Sequence, residues 1–287
     1  MKAAVIDIGT NSCRLLIANL TNHDITPVYR NLITTRLGDN IANLQLSPKA
    51  MDKTILALDQ FKEVMENHLV KTYRAIATSA VREASNQEAF LQLVKDKCNI
   101  NVEVISGEEE AYLSYLGVRN SLKLEMSPLV IDLGGGSTEV IYENTFFLSV
   151  PIGAVRVGTN NYSSSDIREA FKILFNKKAE FSNNPLVFVG GTATSLVAIK
   201  EGLEEYNSQL IHGYTLTRND IEGLYKKLQE MPINIRQSLA GLQPERADII
   251  TEGTLIMLVI MDILGKDEMI VSESDLMEGT LLTLDIN

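Results

Sequence analysis

The stretch Leu129-Val130-Ile131-Asp132-Leu133-Gly134-Gly135-Gly136-Ser137-Thr138-Glu139-Val140-Ile141 limits the possible folds more than any other part of the chain. An apolar run ends in an acid, breaks into three glycines, and resumes as an apolar run carrying a second acid. Apolar runs bounded by glycine read as two strands joined by a tight turn. Consecutive glycines let the backbone come close to a bulky anion and aim N–H groups at it. Asp132 and Glu139 flank that turn as oxygen ligands suited to a divalent metal.

The pattern occurs twice. Shifted by 125 residues, Val5, Ile6, Asp7, Gly9 and Ser12 of the first segment fall on Val130, Ile131, Asp132, Gly134 and Ser137. The echo continues beyond the hairpins. Ile25 to Leu37 is a third apolar segment, and Ser47-Pro48 offers an N-cap and a first-turn proline. Ile55, Leu58, Phe61, Val64 and Met65 then follow at helical spacing. A strand from Tyr73 to Ala77, a small polar turn at Thr78-Ser79 and a helix from Asn86 to Lys97 come next. The second half offers a strand from Phe146 to Val150 and a helix from Asp166 to Phe181, entered from Ser163-Ser164-Ser165. It continues with a strand from Leu186 to Val189, a turn at Gly190-Gly191-Thr192 and a helix from Ala193. A length of 287 residues also suggests two domains. The expected fold is therefore α/β, with two duplicated domains around an interdomain cleft and one glycine turn facing it from each side. The switch falls between Gly117 and Ser127, giving domains 1–123 and 124–287, and the last helix could pack back on the first domain.

Composition removes several classes. A net charge of −11 argues against nucleic acid, whose binding rests on phosphate neutralisation. Cys13 and Cys98 lack metal or CxxC spacing and read as free thiols of a reducing cytoplasm. Asp7 interrupts the apolar run from Met1 to Gly9, so no signal peptide is expected there. Leu255 to Leu264 contains Asp262, is too short to span a bilayer, and reads as a buried core helix. The chain has no P-loop motif and no GxSxG elbow. Gly134-x-Gly136 is followed by Glu139 where a dinucleotide fingerprint needs a third glycine. His23, His68 and His212 have no metal spacing.

Several stretches together carry a resemblance. Ile6-Asp7-Ile8-Gly9-Thr10-Asn11-Ser12 and Asp132 to Glu139 resemble the phosphate-1 and phosphate-2 motifs of the actin, hexokinase and chaperone-ATPase superfamily. Ala77-Thr78-Ser79-Ala80-Val81-Arg82, Ile105-Ser106-Gly107-Glu108-Glu109-Glu110-Ala111, Pro151-Ile152-Gly153-Ala154-Val155-Arg156, Val189-Gly190-Gly191-Thr192 and Ser272 to Gly279 complete the pattern. Over essentially its whole length the chain resembles the exopolyphosphatase and guanosine pentaphosphate phosphohydrolase family. Thr10 replaces the first serine of the family's first loop. Members that process long polyphosphate carry two further C-terminal domains, so the resemblance is to a short, two-domain form. It implies ribonuclease H-like (actin-like ATPase) domains, a bacterial cytoplasmic enzyme of the stringent response and a homodimer.

Phosphoanhydride hydrolysis needs charge compensation, an in-line water and a group to orient that water. The backbone of Gly9, Thr10, Asn11 and Ser12, and of Gly134, Gly135, Gly136, Ser137 and Thr138, can cradle the anion. Asp132 and Glu139 could hold Mg²⁺. Asp7 is the matching acid, and it reads equally well as a turn cap through its own backbone. Acids in a first helical turn commonly stabilise the helix dipole, and Glu108 and Glu109 are read so. The resemblance singles out Glu110 as general base or water orienter. It also favours Arg82, and then Arg156, as phosphate ligands over surface ion pairs. Gly190, Gly191 and Thr192 could hold more of the phosphate chain or a nucleoside, and would look the same as a plain strand-to-helix turn. The expected function is Mg²⁺-dependent release of terminal phosphate from short polyphosphate or guanosine pentaphosphate, without nucleic acid or membrane. The alternatives are a non-catalytic nucleotide or polyphosphate sensor and an ATPase or kinase of the same superfamily.

Overall fold

The structure, a computed structural model, describes residues 1–21, 24–39 and 43–284, so His23 lies outside the described residues. The chain divides into two compact units. The first runs from Met1 to Gly117 and takes up the chain again from Leu276. The second spans Val118–Asp275. The first division thus falls inside one helix, α4 (Gly107–Ser121), ahead of the boundary placed at residue 123 from sequence.

The first unit is a five-stranded sheet in the order β3-β2-β1-β4-β5. Its strands are β1 (Lys2–Ile8), β2 (Ser12–Thr21), β3 (Asp24–Thr34), β4 (Thr72–Ala77) and β5 (Val102–Val104). β1 and β2 form the antiparallel hairpin, and β1, β4 and β5 run parallel. Six of the seven β1 residues are buried, as expected of a central strand covered on both faces. On one face lies α1 (Pro48–Asn67). Ser47 Oγ accepts from the Ala50 N–H, Pro48 opens the first turn, and Ala50, Thr54, Ala57, Leu58, Phe61 and Met65 line the inner stripe. The polar turn expected at Thr78-Ser79 is the entry to a one-turn helix, α2 (Ser79–Arg82), ahead of α3 (Gln87–Cys98). Against the other face packs α12 (Leu276–Leu282), whose Leu276, Met277 and Leu281 join Ala3, Val5, Leu16, Ile76 and Leu113 in one apolar cluster.

The second unit repeats this plan with an added strand, in the order β10-β11-β9-β6-β7-β8. Its strands are β6 (Leu129–Leu133), β7 (Thr138–Tyr142), β8 (Phe146–Val150), β9 (Leu186–Val189), β10 (Thr215–Thr217) and β11 (Glu268–Val271). The two hairpins share one register. Ile8 pairs with Cys13 and Asp7 with Arg14, as Leu133 pairs with Thr138 and Asp132 with Glu139. Helices α5 (Ala154–Asn160), α7 (Gly191–Lys200), α9 (Arg218–Glu230) and α11 (Ile250–Leu264) surround this sheet, and α11 buries eleven residues as its apolar sequence requires.

The helix expected from Asp166 to Phe181 is broken. α6 (Ser164–Ala170) starts with a Ser163–Asp166 capping box and gives way to a 3₁₀ segment, Lys172–Lys177. Phe171, Leu174 and Phe181 are all fully buried or nearly so, and their packing outweighs helical continuity.

Gly279 of α12 lies so close to α4 that a Cβ would stand 1.7 Å from the Leu113 carbonyl oxygen. Gly279→Ala should therefore cost about 2 kcal/mol and lower the thermal midpoint by roughly 4–8 °C. At Gly223 on α9 an added Cβ meets nothing within 4 Å. Gly223→Ala should hold or raise the midpoint, through the helix propensity of alanine. Paired melting curves of the two variants check both.

Candidate active site

In each unit the candidate residues leave the sheet at the C-terminal ends of parallel strands. Ile8 is in register with Ala77 and Ala77 with Val104. The turn after β1, the segment carrying Arg82 and the segment carrying Glu110 therefore emerge along one sheet edge. Asp132 is in register with Val189, and Phe188 with Val271, so the turns after β6 and β9 and the Ser272–Asp275 segment do the same. Open α/β sheets bind ligands along this edge.

The phosphate-2 turn is held by its carbonyls. Ala154 N–H donates to Gly134 O at 3.0 Å, and the N–H groups of Val155 and Arg156 donate to Gly135 O at 2.9 and 3.1 Å. Arg156 Nε donates to Gly136 O at 2.7 Å. The N–H groups of Gly135, Gly136 and Ser137 have no protein acceptor among the described residues. The first turn of α5 thus occupies the carbonyls and leaves the donors. Gly153 permits this approach, since a Cβ there would lie 2.5 Å from the Gly135 carbonyl carbon. Arg156, expected from the resemblance to contact phosphate, is buried and braces the turn.

The phosphate-1 turn is built on the same principle from different parts. Gly38 N–H donates to Thr10 O at 2.8 Å, and Thr35 and Arg36 N–H donate to Asn11 O at 3.1 and 2.8 Å. Among the described residues, the N–H groups of Thr10 and Asn11 have no protein acceptor. Asn11 Nδ2 donates to Ser12 Oγ at 3.2 Å.

The acids beside the two turns differ. Asp7 is buried, and Arg14, its cross-strand neighbour, sits 2.7 Å from its Oδ2. At the equivalent place in the second unit the neighbour of Asp132 is Glu139, also buried, and Ser149 Oγ on β8 donates to Glu139 Oε1 at 2.7 Å. Two carboxylates side by side fit a magnesium ion, which takes one or two protein carboxylates and keeps waters and phosphate oxygens as its other ligands. Asp7, with its charge met by Arg14, fits it less well. Among the described residues no group of three or more His, Cys, Asp or Glu side chains could hold a metal.

Glu110 and Arg82 are brought together. Arg82 ends α2, and its Nη1 donates to Glu110 Oε2 at 2.8 Å and to Ile105 O at 3.1 Å. Glu110 stands in the first turn of α4 and is only 7% exposed. Glu109, on the same turn of α4, pairs with Arg74 of β4.

Gly190 has φ +100°, and a Cβ there would be 2.5 Å from Leu133 O, so the third turn needs glycine on both counts. Arg246, which no motif indicated, donates from Nη1 to Gly191 O at 2.9 Å and to Ser195 Oγ at 3.1 Å. Tyr206 donates to Glu273 beside it; cover over its hydroxyl end, and then the Glu273 charge, push its phenol well up.

The chain is similar to several known proteins over nearly its whole length. A Fusobacterium nucleatum protein named bifunctional 3-dehydroquinate synthase/phosphatase is 36% identical over 97% of this chain, which spans 46% of that protein's length. Exopolyphosphatase 2 of Mycobacterium tuberculosis is 31% identical, covering 99% of this chain and 98% of its own. The crystal structure of the Aquifex aeolicus Ppx/GppA family member superposes with a TM-score of 0.79 at 32% identity, covering 99% of this chain and 97% of that one. Both units here have the actin-like fold expected from the sequence. The sequence model described as the Ppx/GppA phosphatase family matches residues 16–285, and the chain belongs to that family.

Proposed function

We propose that this chain is a phosphohydrolase that releases the terminal phosphate of inorganic polyphosphate or of a nucleotide polyphosphate such as guanosine pentaphosphate. One observation carries the reading: glycine turns at strand C-termini whose carbonyls are tied back and whose N–H groups are left to receive an anion. Backbone donors fixed before the substrate arrives stabilise phosphoryl charge without reorganisation.

Glu110 takes the proton of the attacking water, or orients it, as the water oxygen bonds to the terminal phosphorus and the bridging P–O bond breaks. Arg82 holds one Glu110 oxygen and so fixes the direction of the other. Phosphatases of this family are generally metal-dependent; Asp132 and Glu139 would hold Mg²⁺, which would neutralise charge on the phosphate oxygens. Asp7 serves by anchoring Arg14 beside the first turn. The cytoplasm is the proposed compartment, in keeping with two buried free cysteines.

Replacing Glu110 by Gln keeps its shape and removes the base. Phosphate release from tripolyphosphate should fall by about 10²–10⁴-fold, with substrate binding changed little. Wild-type turnover in this variant would remove Glu110 from the mechanism, and tight binding without release by the wild type would favour the sensor.

Ser149 acts on the metal through Glu139. Ser149→Ala should raise the Mg²⁺ concentration for half-maximal rate by about 10-fold, with the rate at saturating metal less affected. A magnesium titration of the two proteins checks this.

A further inference from the structure

The second unit contains a cavity of about 430 Å³ that the reading above leaves unused. Its walls are the C-terminal end of α5, the outer turns of α9, Arg236 at the end of the short helix Ile233–Arg236, and the first turn of α11. The volume is within the range of small-ligand sites.

Two opposite charges line this cavity, and no salt bridge joins them. Thr251 Oγ1 stands between, accepting from Arg236 Nη1 at 3.3 Å and donating to Glu252 Oε2 at 2.7 Å. The charged groups are therefore at most about 6 Å apart, close enough for one small molecule to touch both. Arg236 is fixed by Nε to Met231 O at 2.8 Å and by Nη1 to Ala247 O at 3.0 Å, so its place is set in advance. Among the described residues, Arg236 Nη2 and Glu252 Oε1 have no protein partner. The cavity thus holds one unused charged donor and one unused charged acceptor.

Charge and shape narrow the occupant. One cation with one anion leaves no net charge, which disfavours a phosphate chain and a polyamine alike. It favours a molecule that carries both signs close together. Val157, Leu255 and the rings of Tyr162 and Tyr225 form much of the remaining wall, and they suit an apolar side chain. Burial first, and the Glu252 carboxylate second, push the Tyr225 phenol up, so Tyr225 stays neutral and adds no second anion beside Glu252.

We infer that this cavity binds a free α-amino acid with an apolar side chain, its carboxylate on Arg236 Nη2 and its ammonium on Glu252 Oε1. In an α-amino acid the two charges are one carbon apart, so both reach their partners at once across the gap that Thr251 spans. A molecule with only one of the charges leaves either the guanidinium or the carboxylate unmet. The inference stands apart from the phosphohydrolase reading and uses none of the residues on which that reading rests.

Calorimetry on the full chain with L-leucine, L-methionine and L-phenylalanine tests it. The N-acetyl and carboxamide derivatives of each serve as probes that lack one charge. At least one of the three amino acids should bind with a Kd below about 1 mM. Both of its derivatives should bind at least about tenfold more weakly, since a hydrogen bond between charged groups contributes that much. Glu252→Gln should weaken the amino acid by about tenfold or more. Far-ultraviolet circular dichroism and a melting curve show that the variant is folded, and the derivatives test the inference on the unaltered protein. No binding of any of the three by the wild type at about 10 mM overturns the inference. Derivatives that bind as tightly as their parent overturn it too, as does an unchanged affinity in a folded Glu252→Gln protein.

Discussion

The capture of turn carbonyls by neighbouring N–H groups is the interaction on which the rest of the site depends. A peptide turn carries donors and acceptors in equal number, so by itself it has no preference for an anion. The first turn of α5 removes the acceptors of Gly134, Gly135 and Gly136, and residues 35–38 remove those of Thr10 and Asn11. What remains at each turn is a set of donors with fixed direction. The arrangement also explains where side-chain size is forbidden. Gly153 has to be small because the α5 backbone itself rests on Gly135.

Duplication supplied two copies of this device, and the copies have diverged in charge at one register position. Asp7 faces Arg14, and Asp132 faces Glu139. A close ion pair with Arg14 through Oδ2 meets the charge of the first acid. Glu139 is buried and Asp132 half-buried, and two carboxylates in register repel each other. Ser149, next in register across β8, holds one oxygen of Glu139 and so limits that repulsion in a protein without metal. A common fold thus yields two different charge arrangements, an ion pair in one unit and a pair of acids in the other.

The parts of this legible in sequence were those written in local periodicity and turn chemistry. The hairpins, the Ser47-Pro48 start of α1 and the buried α11 follow from strand alternation, capping and apolar runs. α5 was missed because its seven residues include Gly158, Thr159 and Asn160, which are poor helix formers; it is held by Gly134 and Gly135 carbonyls, which no local pattern encodes. Arg14 carries the same 125-residue shift to Glu139 that links Asp7 to Asp132, so its signal was present but needed the pairing register to be read. Arg246 and Ser149 act across 55 and 10 residues of sequence, and only the fold brings them to their partners.

In the proposed reaction, the pairing with Arg82 gives the little-exposed Glu110 carboxylate a fixed direction. Arg82 Nη1 engages Oε2 and is itself shared with the Ile105 carbonyl, which fixes the guanidinium. An anion in which the developing charge sits on phosphate oxygens asks little of its base, since phosphoryl transfer runs mainly on position and charge compensation. In the proposed reaction a carboxylate held in one direction by Arg82, on the first turn of α4, meets the positional demand that the turns set.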